Sequence, residues 1–389
     1  MANSQVMFNA RVAETLTNAG HSVSLFVLAL YEMDFQKVDV APAVDYHFVN
    51  VSVGFDGEEM MHAHSQIVFE NIPFWDARQR KVLSQMFGMV NACDRLIGNS
   101  SFVEYIKDQK FDVAFAYMHA FCPLGLIHAA GEERGRGGRG TGIPSWIWLN
   151  TGTLADYVAD VSGVPLPASY CTPTMMDAGD SLSFVERVKS VVGWQIFRLI
   201  WPRVFANRET AMFRRHFGPS FPHLIDLAKR TPLVMVNSHE LYDFARPTLA
   251  KIVNIGGLGL SADKAQPLQG MYKNLTDAAT DGIVVMSFGS IAPMFLMPHK
   301  WKQAFAYAFS LFPNVQFFLR YEKKDLDGLL PSNDAVHSGV PLMAIPLFFD
   351  QPRNAHLAEK LGFGVHVRKE EVSRDSVVAA LRKILTDPG

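Results

Sequence analysis

Residues 339–355 read GVPLMAIPLFFDQPRNA. A short apolar run, 340–349, gives way at once to Asp350, Gln351 and Pro352, and a helical pattern begins at Arg353. Strand, polar pair and helix in that order form one step of an open α/β sheet, where ligands bind in the crevice outside the carboxyl ends of the strands. Asp350 and Gln351 therefore stand where a ligand would. A carboxylate accepts hydrogen bonds and an amide both donates and accepts, so the pair suits the vicinal hydroxyls of a sugar ring. Pro352 fits the first turn of a helix, where its missing N–H costs nothing. The plainer role for Asp350 is to cap that helix.

The same alternation runs outward in both directions. Residues 8–19 (FNARVAETLTNA) place Phe8, Val12, Ala13 and Leu16 on one helical face, and Gly20 is suited to end the helix as its C′ residue. The strand VSLFVLAL follows. Helix, Gly-His and strand are what the first crossover of a Rossmann-like domain needs, and the strand that should precede this helix is missing from the chain. Residues 45–53, 111–118, 144–150 and 232–238 read as further strands, which implies a parallel sheet. A linker is expected at 261–270 (SADKAQPLQG). A second α/β block then opens with GIVVMSF (282–288), Gly289 and Ser290, a helix from about Pro298, and the strand VQFFLRY (315–321).

With these segments around it, the 339–355 run resembles the donor-binding signature of the animal UDP-glycosyltransferases, the UDP-glucuronosyltransferase family. SFGS (287–290) resembles the family's loop after the first strand of the donor domain, whose backbone N–H groups form an anion site for the diphosphate. An ordinary tight turn would read the same way. VNSHELYDFARPTLAKIVNIGGLGL (236–260) resembles the last segment of the acceptor domain. The resemblance implies an α/β chain of GT-B type, two Rossmann-like domains facing across a cleft. Residues 1–262 would bind the acceptor, and residues 263–389 would form an incomplete donor-binding domain. The implied reaction is transfer of glucuronic acid or glucose from a UDP-sugar to a small lipophilic acceptor with inversion. The UDP-sugar is a co-substrate, and neither a cofactor nor a metal is expected. Asp350 and Gln351 would hold the sugar hydroxyls, and Ser287, Gly289 and Ser290 the diphosphate. A two-domain sugar-binding protein of periplasmic type would share the overall form but gives no reason for the Asp350–Gln351 run.

The chain departs from the family at three points. The family's general base, a His just before the first helix, falls at Gln5, and an amide takes no proton at neutral pH. The Asp that orients this His falls at Tyr117. His119 is the candidate for a displaced base, weighed against an ordinary surface or core histidine. Between the strands at 315–321 and 340–347 the sequence EKKDLDGLLPSNDAVHSG reads poorly as the helical crossover that parallel neighbours need. The family carries there a strand, a His-Gly-Gly turn and a helix opening, and His337 does not replace them. The join at Asn333–Asp334 reads as the scar of a deletion of at least one βα unit, on the order of 30 residues or more. GEERGRGGRGTG (131–142) also interrupts the alternation and is expected to be a loop. These departures keep open a catalytically impaired remnant or isoform that binds little or no UDP-sugar.

Composition narrows the alternatives. The chain has 389 residues, enough for two domains with full cores. Its net charge of −2, from 36 basic and 38 acidic residues, offers no footprint for nucleic acid. Cys93, Cys122 and Cys171 match neither a disulfide framework nor a zinc motif and are expected to be buried free thiols. His62 and His64 suit a solvated loop better than a metal pair. No signal peptide or membrane-spanning run is read, whereas the family is membrane-anchored and faces the lumen of the endoplasmic reticulum. Residues 191–205 are apolar yet carry Arg198 and Arg203. They could lie on a membrane surface, though a helix packed on the core is the more ordinary expectation.

Overall fold

The computed structural model describes residues 3–29, 40–51, 67–70, 76–79, 88–117, 120–131, 143–258, 267–289, 292–321 and 341–386. His62, His64, His119, the Gly/Arg-rich stretch 132–142, most of the expected linker, Ser290, His337 and the Asn333–Asp334 join lie outside the described residues. The chain divides into two compact units, Asn3–Gly57 with Leu83–Leu260, and Glu58–Val82 with Ser261–Gly389. Both are α/β, and every strand pair among the described residues is parallel.

The first unit opens with helix α1, Asn3–Asn18. It starts five residues before the apolar face suggested, and it buries Val6, Ala10, Val12 and Ala13. Gly20 ends it at φ +92°. His21 N–H reaches Leu16 O at 3.1 Å and Gly20 N–H reaches Thr17 O at 2.9 Å, the two bonds of a Schellman turn, which closes without strain only on glycine. Strand β1 (Ser24–Ala29) follows and pairs in parallel with β2 (Asp45–Asn50). A separate four-stranded sheet runs β3 (Val113–Tyr117), β4 (Ser145–Asn150), β5 (Leu233–Val236) and β6 (Ile252–Asn254) in that spatial order. Its core holds Trp148, Val158, Phe213, Leu224 and Val234, all fully buried.

Two cysteines depart from expectation. Cys93, in helix Gly88–Gly98, and Cys122, opening helix Cys122–Gly131, form a disulfide with their Cα atoms 6.1 Å apart. Only Cys171 remains a buried free thiol. Sequence spacing says nothing about which helices lie side by side, and these two pack together over the sheet.

The second unit pairs β7 (Ile283–Met286) with β8 (Gln316–Leu319), and β9 (Leu342–Ala344) with β10 (Gly364–His366). Helices His299–Ser310 and Arg374–Thr386 pack on one another. Trp301, Phe305, Phe309, Phe317, Val377 and Leu381 fill the core. Residues 67–70 belong to it as well. Phe69 sets its ring edge-on to Phe288 at 5.5 Å and to Trp301 at 5.7 Å, and Lys369 Nζ donates to the carbonyls of Val68 and Glu70.

Each unit is divided in the same way. A doubly wound sheet places its first strand between the second and the fourth, in the order 3-2-1-4-5-6. In the first unit β2–β1 and β3–β4–β5–β6 are separate sheets. Among the described residues no strand joins them. In the second unit β8–β7 and β9–β10 are likewise separate pairs among the described residues, and residues 322–340, between β8 and β9 in sequence, lie outside them. That is where the sequence reads as joined across a deletion.

Candidate functional site

In the second unit, the chain leaving β9 is shaped by its own hydrogen bonds. Phe349 takes φ +59°, a left-handed conformation that costs a non-glycine residue ~1–2 kcal/mol. The turn carries Asp350 to the N-cap position of helix Gln351–Lys360, two residues earlier than the sequence pattern placed the helix, with Pro352 in its first turn. Leu347 N–H donates to Gln351 Oε1 at 2.8 Å, and Lys369 Nζ donates to Leu347 O at 3.3 Å. The loop is thus clamped on both sides of Leu347. Gln351 spends acceptor capacity on its own loop, which leaves its NH2 group to donate to a ligand.

Asp350 makes no side-chain capping bond, so the capping role does not account for it. Burial raises its pKa above the ordinary carboxylate value. Its own backbone N–H, the Arg353 charge and Asn354 act in the opposite sense. A half-buried carboxylate of this kind has only part of its hydration left to lose when a ligand hydroxyl replaces water.

Ser287 follows β7 directly, and Gly289 takes φ +76°. A Cβ there would meet nothing within 4 Å, so the turn needs glycine for its conformation rather than for space. Gly289 N–H donates to Ser287 Oγ at 3.2 Å. The next helix begins only at His299, after a 3₁₀ turn at Met294–Leu296. Ser287 and Gly289 therefore form a local turn in which the Gly289 N–H is held by Ser287, and among the described residues the next α-helix starts only at His299.

In the first unit, polar side chains gather at the carboxyl ends of β3, β4 and β5. The Tyr117 hydroxyl lies 3.4 Å from Thr151 Oγ1. Asn237 Nδ2 donates to Thr151 O at 3.0 Å. Asn150, almost fully buried, donates from Nδ2 to the carbonyls of Gly152 and Thr153. A separate open cavity of about 290 Å³ lies at the end of β2, lined by Val49, Asn50, Val51, Arg95, Leu96 and Asn99. Asn150 and Thr151 were not singled out from the sequence. The available signal was a polar residue ending an apolar strand in WLN (148–150), as in VNS (236–238). Gln5 sits inside the first turn of α1 rather than ahead of it, and is half-buried.

The turn after β6 presses on this end of the sheet. Gly256 N–H donates to Ser238 O at 2.9 Å, and a Cβ on Gly256 would lie 2.6 Å from that oxygen. Gly256→Ala is expected to destabilise the protein by about 1–3 kcal/mol, because backbone rather than a flexible side chain must move. A urea titration checks this, and an unchanged midpoint would show that the turn is not held there.

The sequence profile of the family described as UDP-glucoronosyl and UDP-glucosyl transferase matches residues 1–334 and 327–389, in two segments that meet around the proposed join. The ugt-47 protein of Caenorhabditis briggsae is 25% identical over 430 aligned positions, covering 100% of this chain and 76% of that protein. Since this chain has 389 residues, part of the aligned relative has no counterpart here. UDP-glucuronosyltransferase 3A2 of Mus musculus is 25% identical over 418 positions, covering 97% of this chain and 75% of that protein. Among solved structures, the glycotransferase of kitacinnamycin aligns with TM-score 0.56 at 15% identity, covering 97% of this chain and 87% of that one. Os79 from O. sativa, solved with U2F and trichothecene, aligns with TM-score 0.55 at 14% identity, covering 100% and 90%. At these identities the solved structures speak for the fold alone, which is of GT-B type.

Proposed function

The chain belongs to the UDP-glucuronosyl and UDP-glucosyl transferase family, and on that premise we propose that it transfers glucuronic acid or glucose from a UDP-sugar to a small lipophilic acceptor. Glycosyl transfer from a UDP-sugar is the family's chemistry. In the reaction proposed here, the acceptor oxygen attacks the anomeric carbon from the face opposite UDP. The carbon–oxygen bond to UDP breaks, the configuration inverts, and the acceptor proton passes to water or a base. Asp350 and Gln351 bind the sugar hydroxyls, Asp350 as acceptor and Gln351 through its NH2 group. Ser287, Gly289 and Ser290 bind the diphosphate. The acceptor belongs to residues 1–262, at the carboxyl ends of the first unit's strands, and the donor to residues 263–389.

One observation carries this reading. The chain keeps a strained Phe349 and a two-sided clamp on Leu347 to hold Asp350 and Gln351 just past β9. Strain of that kind persists where the surroundings over-determine it, often at ligand sites. Neither Gln5 nor Tyr117 takes a proton at neutral pH. Proximity of the two substrates would then supply most of the acceleration. A location facing the lumen of the endoplasmic reticulum is supported by the Cys93–Cys122 disulfide, since such bonds persist in oxidising compartments.

A second reading is favoured by the division of the second unit into β8–β7 and β9–β10. Among the described residues no strand ties together the two loops that should converge on one donor, and on this reading UDP-sugar affinity is low or absent. Calorimetric titration with UDP-glucuronic acid and UDP-glucose separates the two. The transferase reading expects binding that Gln351→Ala weakens about tenfold or more, and slow turnover that falls with it. Heat signals identical for the wild type and Gln351→Ala would leave the impaired remnant as the function of this chain.

A further inference from the structure

We propose that residues 67–70 tie together the two loops that the donor reading uses, with Phe69 and Lys369 as the positioning residues. That these are donor loops rests on the function proposed above, whereas the tie is a property of the second unit alone. The stretch Glu58–Val82 groups with the second unit, although the chain before and after it groups with the first. Residues 67–70 therefore come from a part of the sequence far from that unit's strands. Val68 and Lys369, which touch, are 301 positions apart.

Two sets of contacts converge on this segment. The Phe69 side chain is buried and meets Phe288 and Trp301 edge-on, at 5.5 and 5.7 Å, and Phe288 lies 6.4 Å from Trp301. Phe288 stands between Ser287 and Gly289. The three-ring cluster therefore holds the turn after β7. On the backbone side, Val68 O and Glu70 O accept from Lys369 Nζ at 3.3 and 3.2 Å, and the same ammonium donates to Leu347 O at 3.3 Å. Lysine has three N–H donors and no acceptor, so these three carbonyls match its donors in number. Leu347 N–H is in turn bonded to Gln351 Oε1 at 2.8 Å. One end of the tie fixes the 287–289 turn, and the other fixes the loop that carries Asp350 and Gln351.

A plain core contact would explain Val68 and Phe69, both of which are buried. It does not explain Lys369. Lysine is seldom withdrawn from water unless its charge is met. Burial lowers the pKa of this one, against the charge of Glu370. Its ammonium is satisfied only while Val68, Glu70 and Leu347 keep their places, so moving either segment leaves N–H donors unmet. Among the described residues no ladder joins β7 to β9, and the link between the loops that follow them runs through residues 67–70.

Amide hydrogen exchange on the intact chain, with no donor present, tests the tie through its crossed effects. Lys369→Met touches the 347–351 loop directly, yet is expected to speed exchange in 287–289 as well. Phe69→Leu touches the 287–289 turn directly, yet is expected to speed exchange at Leu347. Each acceleration should be about tenfold, the loss of one hydrogen bond, while helix Arg374–Thr386 exchanges as before. Phe69→Leu keeps most of the apolar volume and decides alone should Lys369→Met unfold. If the donor binds, both variants are expected to weaken UDP-glucuronic acid about tenfold in calorimetric titration. Three outcomes would overturn the proposal: faster exchange confined to the loop that each substituted residue touches, equal acceleration in helix Arg374–Thr386, or unchanged donor affinity in both folded variants. The second would make residues 67–70 ordinary core. Because exchange is read without donor, a wild type that binds no UDP-sugar would sink the donor reading alone.

Discussion

Glu209→Gln raises the thermal stability of the protein at about pH 9 and leaves it nearly unchanged at about pH 4. Glu209, in helix Asn207–Phe217, is 1% exposed, and its Oε2 has no hydrogen-bond partner. Burial lifts its carboxyl from 4.5 to about 8, against the pull of the Phe121 and Cys122 backbone N–H groups. Between those two values the folded protein holds a proton that the unfolded chain has released. Stability from this group is therefore complete below about 4.5 and is lost as pH rises towards 8. The loss is on the order of 4 kcal/mol. Glutamine has the same shape and cannot ionise, so it removes the loss. Melting curves of both proteins across this range read the effect directly. A wild-type stability that stays flat between the two values would show that Glu209 reaches water or a cation when it ionises.

The disulfide beside Glu209 carries the second large effect. Cys93→Ser, or reduction of the wild type, is expected to cost roughly 3–4 kcal/mol through release of the closed loop, with an intervening sequence separation of 29. For a unit of this size that lowers the melting temperature by about 10 °C. Thiol titration of the denatured, unreduced protein should find one free thiol, Cys171. Finding all three thiols free, or identical melting with and without reductant, would sink the assignment. The two effects are coupled. Cys122 opens the helix and its N–H, with that of Phe121, donates to Glu209, so loss of the bridge should weaken the bonds that favour the ionised carboxylate and raise its pKa further. At high pH Glu209→Gln should then stabilise the Cys93→Ser protein more than it stabilises the wild type.

Much of the fold was written in local patterns. Gly20 after the 8–19 helix, the strands ending at Asn150 and Val236, and the polar pair after the 340–349 run all lie close to where periodicity and turn chemistry put them. Helix starts were less legible. α1 begins at Asn3 and the helix after β9 at Gln351 because tertiary packing extends a helix past its last strong sequence signal. The residues proposed to bind donor were legible as a motif. Their internal bonds were not, since Gln351 Oε1 finds Leu347 N–H only once Phe349 has turned the chain.

By itself the sequence determined the α/β alternation, the family and the Asp350–Gln351 pair, because each depends on residues adjacent in the chain. Tertiary structure decided what depends on distant residues. It brought Cys93 to Cys122, buried Glu209, and turned one face of helix Phe184–Trp201 outward. Each follows from which surfaces meet in space, and amino-acid order constrains that only through the packing of the whole unit.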